Sequence, residues 1–278
     1  MLDRLVAAEP VGPHRLSLIR RACADVHGLA PLPDVAGDSA RDADPSEGDD
    51  AVLQLARQFS ADVAAVDDGL RQRFMAATGD AAFATVQAIY VADMVPRVRA
   101  ALDSLFGPSE WSTPAADPRI DTWSTIDELL VVVHQLDGLD PVTTEVVRLR
   151  GARQHDCRLC RSLRSRPALL AGGDDELWDA VDRPDTLASP VHRAAVALVD
   201  AMIWTPSRIG SDVVDRVHAE LTSGQAVELV LDVMRNAANK IAVALGADAP
   251  NVAEGIEVYE IDAAGVAHYG LDHPQGTV

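Results

Sequence analysis

Cys157 and Cys160 stand three residues apart in a chain with one other cysteine, Cys23. Two thiols at this spacing lie about one helical turn apart, so they can cycle between dithiol and disulfide or supply two ligands to a metal. Seven arginines surround the pair: Arg148, Arg150, Arg153, Arg158, Arg161, Arg164 and Arg166. Only Glu145 and Asp156 oppose them nearby, although the whole chain carries a formal net charge of −19. A local excess of cations favours thiolate over thiol, and thiolate is the reactive form.

A structural zinc site wants four nitrogen, sulfur or oxygen ligands. His155 offers a third beside the two cysteines, but no second cysteine or histidine pair follows, and the other histidines lack ligand spacing. Neither a metal nor a cofactor is expected. Cys23 falls in an amphipathic stretch and is expected in the core. Lys240 is the only lysine and is expected in a structural ion pair or as a helix-end cation.

The elements that must position the cysteines follow from caps and breakers. Ser189-Pro190 starts a helix, residues 226–245 read as another, and Asp140-Pro141 starts a third, with aspartate as N-cap and proline in the first turn. That helix carries Glu145, and Gly151 is expected to interrupt it. Asp156 is expected to cap a second helix beginning at Cys157. Both cysteines would then lie in its first turn, where unpaired N–H groups and the helix dipole stabilise an anion. Arg161 follows Cys157 by four residues and Arg164 follows Cys160 by four, so both are expected on the cysteine face.

The run from Leu139 through Glu145 to Cys157-x-x-Cys160 resembles the carboxymuconolactone decarboxylase / alkylhydroperoxidase AhpD-like superfamily. Its signature is a glutamate, eleven residues, Cys-x-x-Cys, then three residues and a histidine. Glu145 and both cysteines match; the histidine position holds Arg164, and Leu159 stands where peroxidase members often have another histidine. The resemblance covers residues 125–246 well and the N-terminal third loosely. It implies an all-α, AhpD-like helical bundle that assembles as a homo-oligomer, a dimer or trimer. It also implies roles: Cys160 as the attacking thiol, Cys157 as the resolving one and Glu145 as the relay base. Arg164, Arg161 and His155 are the candidates for stabilising substrate or thiolate.

The rest of the chain divides by composition. Residues 1–50 hold a helix interrupted around Pro10 and Pro13, then an acidic linker from residue 31. Residues 51–107 form a helical block, residues 125–246 the core with the cysteines, and residues 251–278 a tail. In the tail the apolar period changes to two around Asp262-Ala263-Ala264-Gly265, which reads as a β-hairpin. A weak internal echo aligns residues 66–102 with 209–245 and lays Asp93-x-x-x-Arg97 over Asn236-x-x-x-Lys240. A pseudo-duplicated N-terminal half would produce it.

The acidic balance disfavours nucleic acid and anionic membrane surfaces as partners. No apolar run is long enough to span a bilayer. The start, Met1-Leu2-Asp3-Arg4, brings charge at once, and a cytoplasmic location is expected. The leading functional expectation is thiol-dependent reduction of a small peroxide or disulfide, with a thiol reductant restoring the dithiol. Two other classes stand beside it: a non-redox decarboxylase or isomerase using Glu145 and arginines, and a catalytically inactive scaffold.

In reduced protein at pH 7, iodoacetamide is predicted to alkylate Cys160 before Cys157 or Cys23. Timed quenching and peptide mass mapping check the order. Faster labelling of Cys157 contradicts Cys160 as nucleophile.

Overall fold

The computed structural model describes residues 1–34, 48–112 and 114–274. Most of the expected acidic linker falls on residues 35–47, outside the described residues. The described chain is mostly helical with one small three-stranded sheet. None of its helices is long and apolar enough to cross a membrane. The chain forms two compact units: Met1–Leu129 with Lys240–Ala247, and Leu130–Asn239 with Asp248–Val278.

The first unit contains α1 (Leu2–Ala7), α2 (Pro13–His27), α3 (Asp49–Asp62), α4 (Asp68–Thr78) and α5 (Ala82–Phe106). As expected, the prolines separate α1 from α2, and Pro13 opens α2. Gly28 ends α2 in the left-handed region at φ 64°, which glycine adopts without penalty. Helix α2 packs on α3 and α5. Phe59, Phe74, Ile89 and Tyr90 are wholly buried, and Cys23 is buried as expected. Burial pushes the Cys23 thiol up to about 12, so it is inert near neutral pH.

This core also encloses charge. Asp93 binds Arg97 at 2.7 Å and Lys240 Nζ at 2.6 Å. Arg97 also donates to the Ser60 carbonyl at 2.7 Å, and Lys240 lies 4.4 Å from the centre of the Phe59 ring. Burial alone would raise the Asp93 pKa, but the two cations outweigh it and hold the carboxyl below its ordinary value. The lone lysine is thus a structural ion-pair partner.

Helix α6 (Thr122–His134) leads from the first unit into the second. There follow α7 (Pro141–Gln154), α8 (Arg158–Ser162), strand β1 (Leu163–Ser165), α9 (Arg166–Leu170), α10 (Asp175–Ala180), α11 (Pro190–Trp204), α12 (Ser211–Glu220) and α13 (Ser223–Asn236). Helix α14 (Asn239–Leu245) carries the chain back, and β2 (Glu257–Ile261) with β3 (Ala267–Leu271) ends it. Asp140 and Ser189 cap α7 and α11 with their side chains, and a proline follows each, as expected. Residues 226–245, expected as one helix, divide into α13 and α14.

The hairpin forms where its alternation places it, with β2 and β3 antiparallel. The Asp262 carboxylate accepts from the amides of Ala264 and Val266, and Gly265 turns at φ 83°. A Cβ at Gly265 would come within 2.4 Å of Val131, so space as well as conformation requires glycine. The sheet has a third member that periodicity did not reveal: β1 pairs parallel with β2, placing Arg164 opposite Val258. Val258 joins Val146, Leu149, Trp178 and Val196 in the core, which binds the hairpin to α7 and α11.

Element spacing repeats along the chain. The 3-10 turns Val63–Ala65 and Pro206–Arg208 are 143 residues apart, and so are the starts of α4 and α12 at Asp68 and Ser211.

Asp93→Asn leaves Arg97 and Lys240 buried without their counter-charge and should cost about 3–5 kcal/mol of stability. Lys240→Met leaves the Asp93–Arg97 pair intact and should cost about 1–2 kcal/mol. Urea unfolding midpoints measure both, and an equal or reversed order contradicts the central place of Asp93.

Candidate functional site

Helix α7 runs unbroken through Gly151, contrary to expectation; a Cβ there would meet nothing within 4 Å, so this glycine marks no break. The helix ends instead at Asp156, the single non-glycine residue with positive φ (50°) among those described. The Asp156 amide donates to Arg153 O at 3.2 Å and the Cys157 amide to Ala152 O at 2.9 Å. This pairing closes a helix around a left-handed residue, a conformation aspartate tolerates better than most. Asp156 is therefore the end of α7 rather than the cap of α8. Cys157 takes the cap position itself, and its sulfur accepts the Cys160 amide at 3.2 Å.

The first turn of α8 is already occupied by an acid. The Asp248 carboxylate, itself buried, accepts from the Arg158 amide at 2.9 Å and from the Arg158 guanidinium at 2.7 Å. The Asp248 carbonyl accepts from the Leu159 amide at 2.9 Å. Of the donors expected to stabilise a Cys160 thiolate, two serve Asp248 and the third serves Cys157. The dipole argument for Cys160 is thereby weakened, because an anion already sits at that helix end.

Helix α8 also stops sooner than expected. It ends at Ser162, and Arg164 lies on β1 instead of one turn beyond Cys160 on the same face. Its guanidinium donates to the carbonyls of Arg161 and Leu163 at 2.9 and 2.8 Å. Burial lowers its pKa, with Arg148 adding to the effect. Arg161 pairs with Asp156. Arg153, Arg158, Arg161, Ser162 and Arg164 line a depression of about 450 Å³ with Asp182.

The sulfurs differ in access. Cys157 is 1% exposed and Cys160 half-buried. The two are joined as a disulfide with Cα atoms 5.3 Å apart. Asn239 reaches the pair from the start of α14: its Nδ2 donates to Cys160 Sγ at 3.6 Å. Its Oδ1 meets His155 Nδ1 at 3.0 Å. His155, buried at the end of α7, thus connects to Cys160 through an amide.

Glu145 lies elsewhere. Its carboxylate makes a two-point pair with Arg148 at 2.6 and 2.7 Å and accepts the Ser165 amide at 3.1 Å. Arg148 donates onward to the carbonyls of Cys160 and Leu163, both at 2.8 Å. Glu145 therefore acts on the backbone of the cysteine segment. Among the candidates, the structure brings both cysteines and His155 together, sets Arg161 beside them, and gives Glu145 and Arg164 backbone contacts. Asn239 and Asp248 complete the site from far along the chain. No local pattern singles them out, although Asn239 flanks the conspicuous Lys240. Among the described residues, no three His, Cys, Asp or Glu side chains are arranged to hold a metal ion.

The start of α7 and its ending have a counterpart 128 residues earlier. Pro13, Arg20, Ala24 and His27 of α2 correspond to Pro141, Arg148, Ala152 and His155, and left-handed Gly28 to left-handed Asp156. The Leu29 amide donates to Ala24 O at 3.0 Å, as the Cys157 amide does to Ala152 O. Arg20 donates to the Pro33 carbonyl just beyond its helix, as Arg148 does to that of Cys160. At the positions of the two cysteines the earlier segment carries Leu29 and Leu32.

No family model matches the chain. No solved structure matches it either. The uncharacterized protein Rv2313c of Mycobacterium tuberculosis strain H37Rv and the uncharacterized protein MT2376 of strain CDC 1551 are similar throughout. Each is 40% identical over 282 residues, covering 97% of this chain and 96% of its own length. The chain belongs to the same family as these two mycobacterial proteins.

Proposed function

We propose that the chain is a thiol-dependent oxidoreductase of the AhpD-like kind, cycling Cys157 and Cys160 between dithiol and disulfide. One observation carries the reading: two cysteines at bonding separation with unequal access, Cys160 toward solvent and Cys157 beneath it. An incoming oxidant meets Cys160 first. The matched elements of the two halves, α2 with α7 and α4 with α12, support an internally duplicated helical bundle in which only the second copy bears the thiols.

In the forward step the Cys160 thiolate attacks one sulfur of a substrate disulfide, forms a mixed disulfide and expels the first thiolate. Cys157, after losing its proton, attacks the Cys160 sulfur and expels the second. The substrate gains two electrons and two protons, and the enzyme ends with the Cys157–Cys160 bond. With a peroxide, Cys160 becomes a sulfenic acid as the alcohol leaves, and Cys157 condenses with it to release water. An external dithiol returns the pair to the reduced state. Asn239 holds the Cys160 sulfur, and His155 fixes the Asn239 amide. The arginine-lined depression beside α8 suits substrates or reductants bearing an acidic group.

The non-redox alternative needs Glu145 as a free base. Its pairing with Arg148 and the Ser165 amide argues against that role.

Reduced protein mixed with 5,5′-dithiobis(2-nitrobenzoate), an anionic aromatic disulfide, tests the scheme. The native chain should release two equivalents of coloured thiolate and retain none, whereas Cys157→Ser should release one and keep one as a stable adduct. Cys160→Ser should abolish the fast phase. Asn239→Ala should slow it about fivefold, the equivalent of about 1 kcal/mol for one weak hydrogen bond. An adduct retained by the native chain, or a Cys160→Ser variant reacting at the native rate, sinks the assignment.

A further inference from the structure

A second concavity of about 510 Å³, lined in part by Glu145 and Arg148, lies within the second unit. It falls within the size range of small-molecule sites. Neither cysteine lines it. Leu136, Leu139, Pro167 and Ile261 give it an apolar wall. Its polar side chains include His134, Glu145, Arg148, Arg235 and Tyr259, with Asp137 and Asp140 exposed.

The polar groups are not equally committed. Glu145 and Arg148 neutralise each other. Asp140 is held by the amides of Val142 and Thr143 as the cap of α7. His134 meets the Ile261 carbonyl at 3.2 Å, and burial together with Arg235 lowers its pKa, so it is neutral at pH 7. Arg235 is different. Its Nε donates to the Leu130 carbonyl at 3.2 Å, and its terminal nitrogens make no hydrogen bond or ion pair among the described residues. The Tyr259 hydroxyl likewise has no partner among them. Tyr259 is itself held in place: Arg148 lies 5.4 Å from its ring centre and Tyr269 stacks on it at 6.3 Å.

A half-buried guanidinium with an open fork, a rigid phenol and an apolar wall form a recognisable set. The fork matches the two oxygens of a carboxylate, the phenol adds a third donor, and the wall accepts a hydrocarbon body. We propose that this cavity binds a small monocarboxylic acid with an apolar body, anchored by Arg235 and Tyr259. The inference does not depend on the thiol reading. The site has a route to the thiols all the same: Arg148, part of its wall, is the residue that holds the Cys160 carbonyl.

Calorimetric titration of the full chain with 4-phenylbutyrate, and separately with 4-phenylbutan-1-ol, tests the proposal. The acid should bind at least about tenfold more tightly than the alcohol. Arg235→Gln should weaken the acid by at least about tenfold and leave the alcohol unchanged, while Tyr259→Phe should weaken the acid about threefold. Cys160→Ser should bind like the native chain, which separates this site from the redox chemistry. Should Arg235→Gln fail to fold, the acid–alcohol comparison and Tyr259→Phe still decide. Equal binding of acid and alcohol, native affinity in Arg235→Gln, or no heat from the acid up to about 10 mM overturns it.

Discussion

The Arg148 guanidinium is buried against the Tyr259 ring, and most of the cysteine segment hangs from it. Desolvating a cation costs several kcal/mol unless a carboxylate compensates and the remaining donors are filled. Glu145, one turn earlier on α7, supplies the carboxylate. The carbonyls of Cys160 and Leu163 fill the donors. The same two side chains thereby fix where α8 ends and where β1 begins. Ser165, whose amide also reaches Glu145, closes the loop. Once β1 is placed, β2 pairs beside it, and Val258 carries the hairpin into the helical core. The pair that invites a catalytic reading is thus the brace that gives the cysteines a rigid seat.

The turn between α7 and α8 supplies the second constraint. Left-handed Asp156 lets Cys157 finish one helix and cap the next. That double duty buries Cys157 and leaves Cys160 on the outer side. Asp248, the first residue of the second unit's later segment, occupies the helix end that an isolated thiolate would favour. Asn239 then provides a direct donor to the Cys160 sulfur. Access and one side-chain contact, rather than the helix dipole, distinguish the two thiols.

Much of this was legible in the sequence where the signal is local. Asp140-Pro141 and Ser189-Pro190 mark helix starts because cap and proline act within one turn. The hairpin follows from period-two alternation around a glycine turn. Buried Cys23 follows from the amphipathic stretch around it. The misreadings share a cause. Local propensity marks Gly151 as a break and Asp156 as a cap, whereas tertiary packing carries α7 through the glycine and a left-handed residue ends it. Helical spacing puts Arg164 beyond the point where β1, recruited by a strand nearly a hundred residues later, replaces the helix. Asn239 and Asp248 act across comparable separations. The correspondence of α2 with α7 was hidden because its register differs from that of the later helices, the connection after α7 being longer. Hydrogen bonds of Arg20 and Arg148 expose it where residue identity alone is sparse.

The account rests on Cys157 and Cys160 acting as one two-electron couple. Equilibrating the full chain across dithiothreitol redox buffers, then trapping free thiols and weighing the peptides, measures this directly. The expected result is a single transition in which both cysteines disappear together, with the two-electron slope of about 30 mV per tenfold change in the oxidised-to-reduced ratio, while Cys23 stays reduced throughout. Cysteines that remain free at the oxidising end, or that convert separately into buffer adducts, would contradict it.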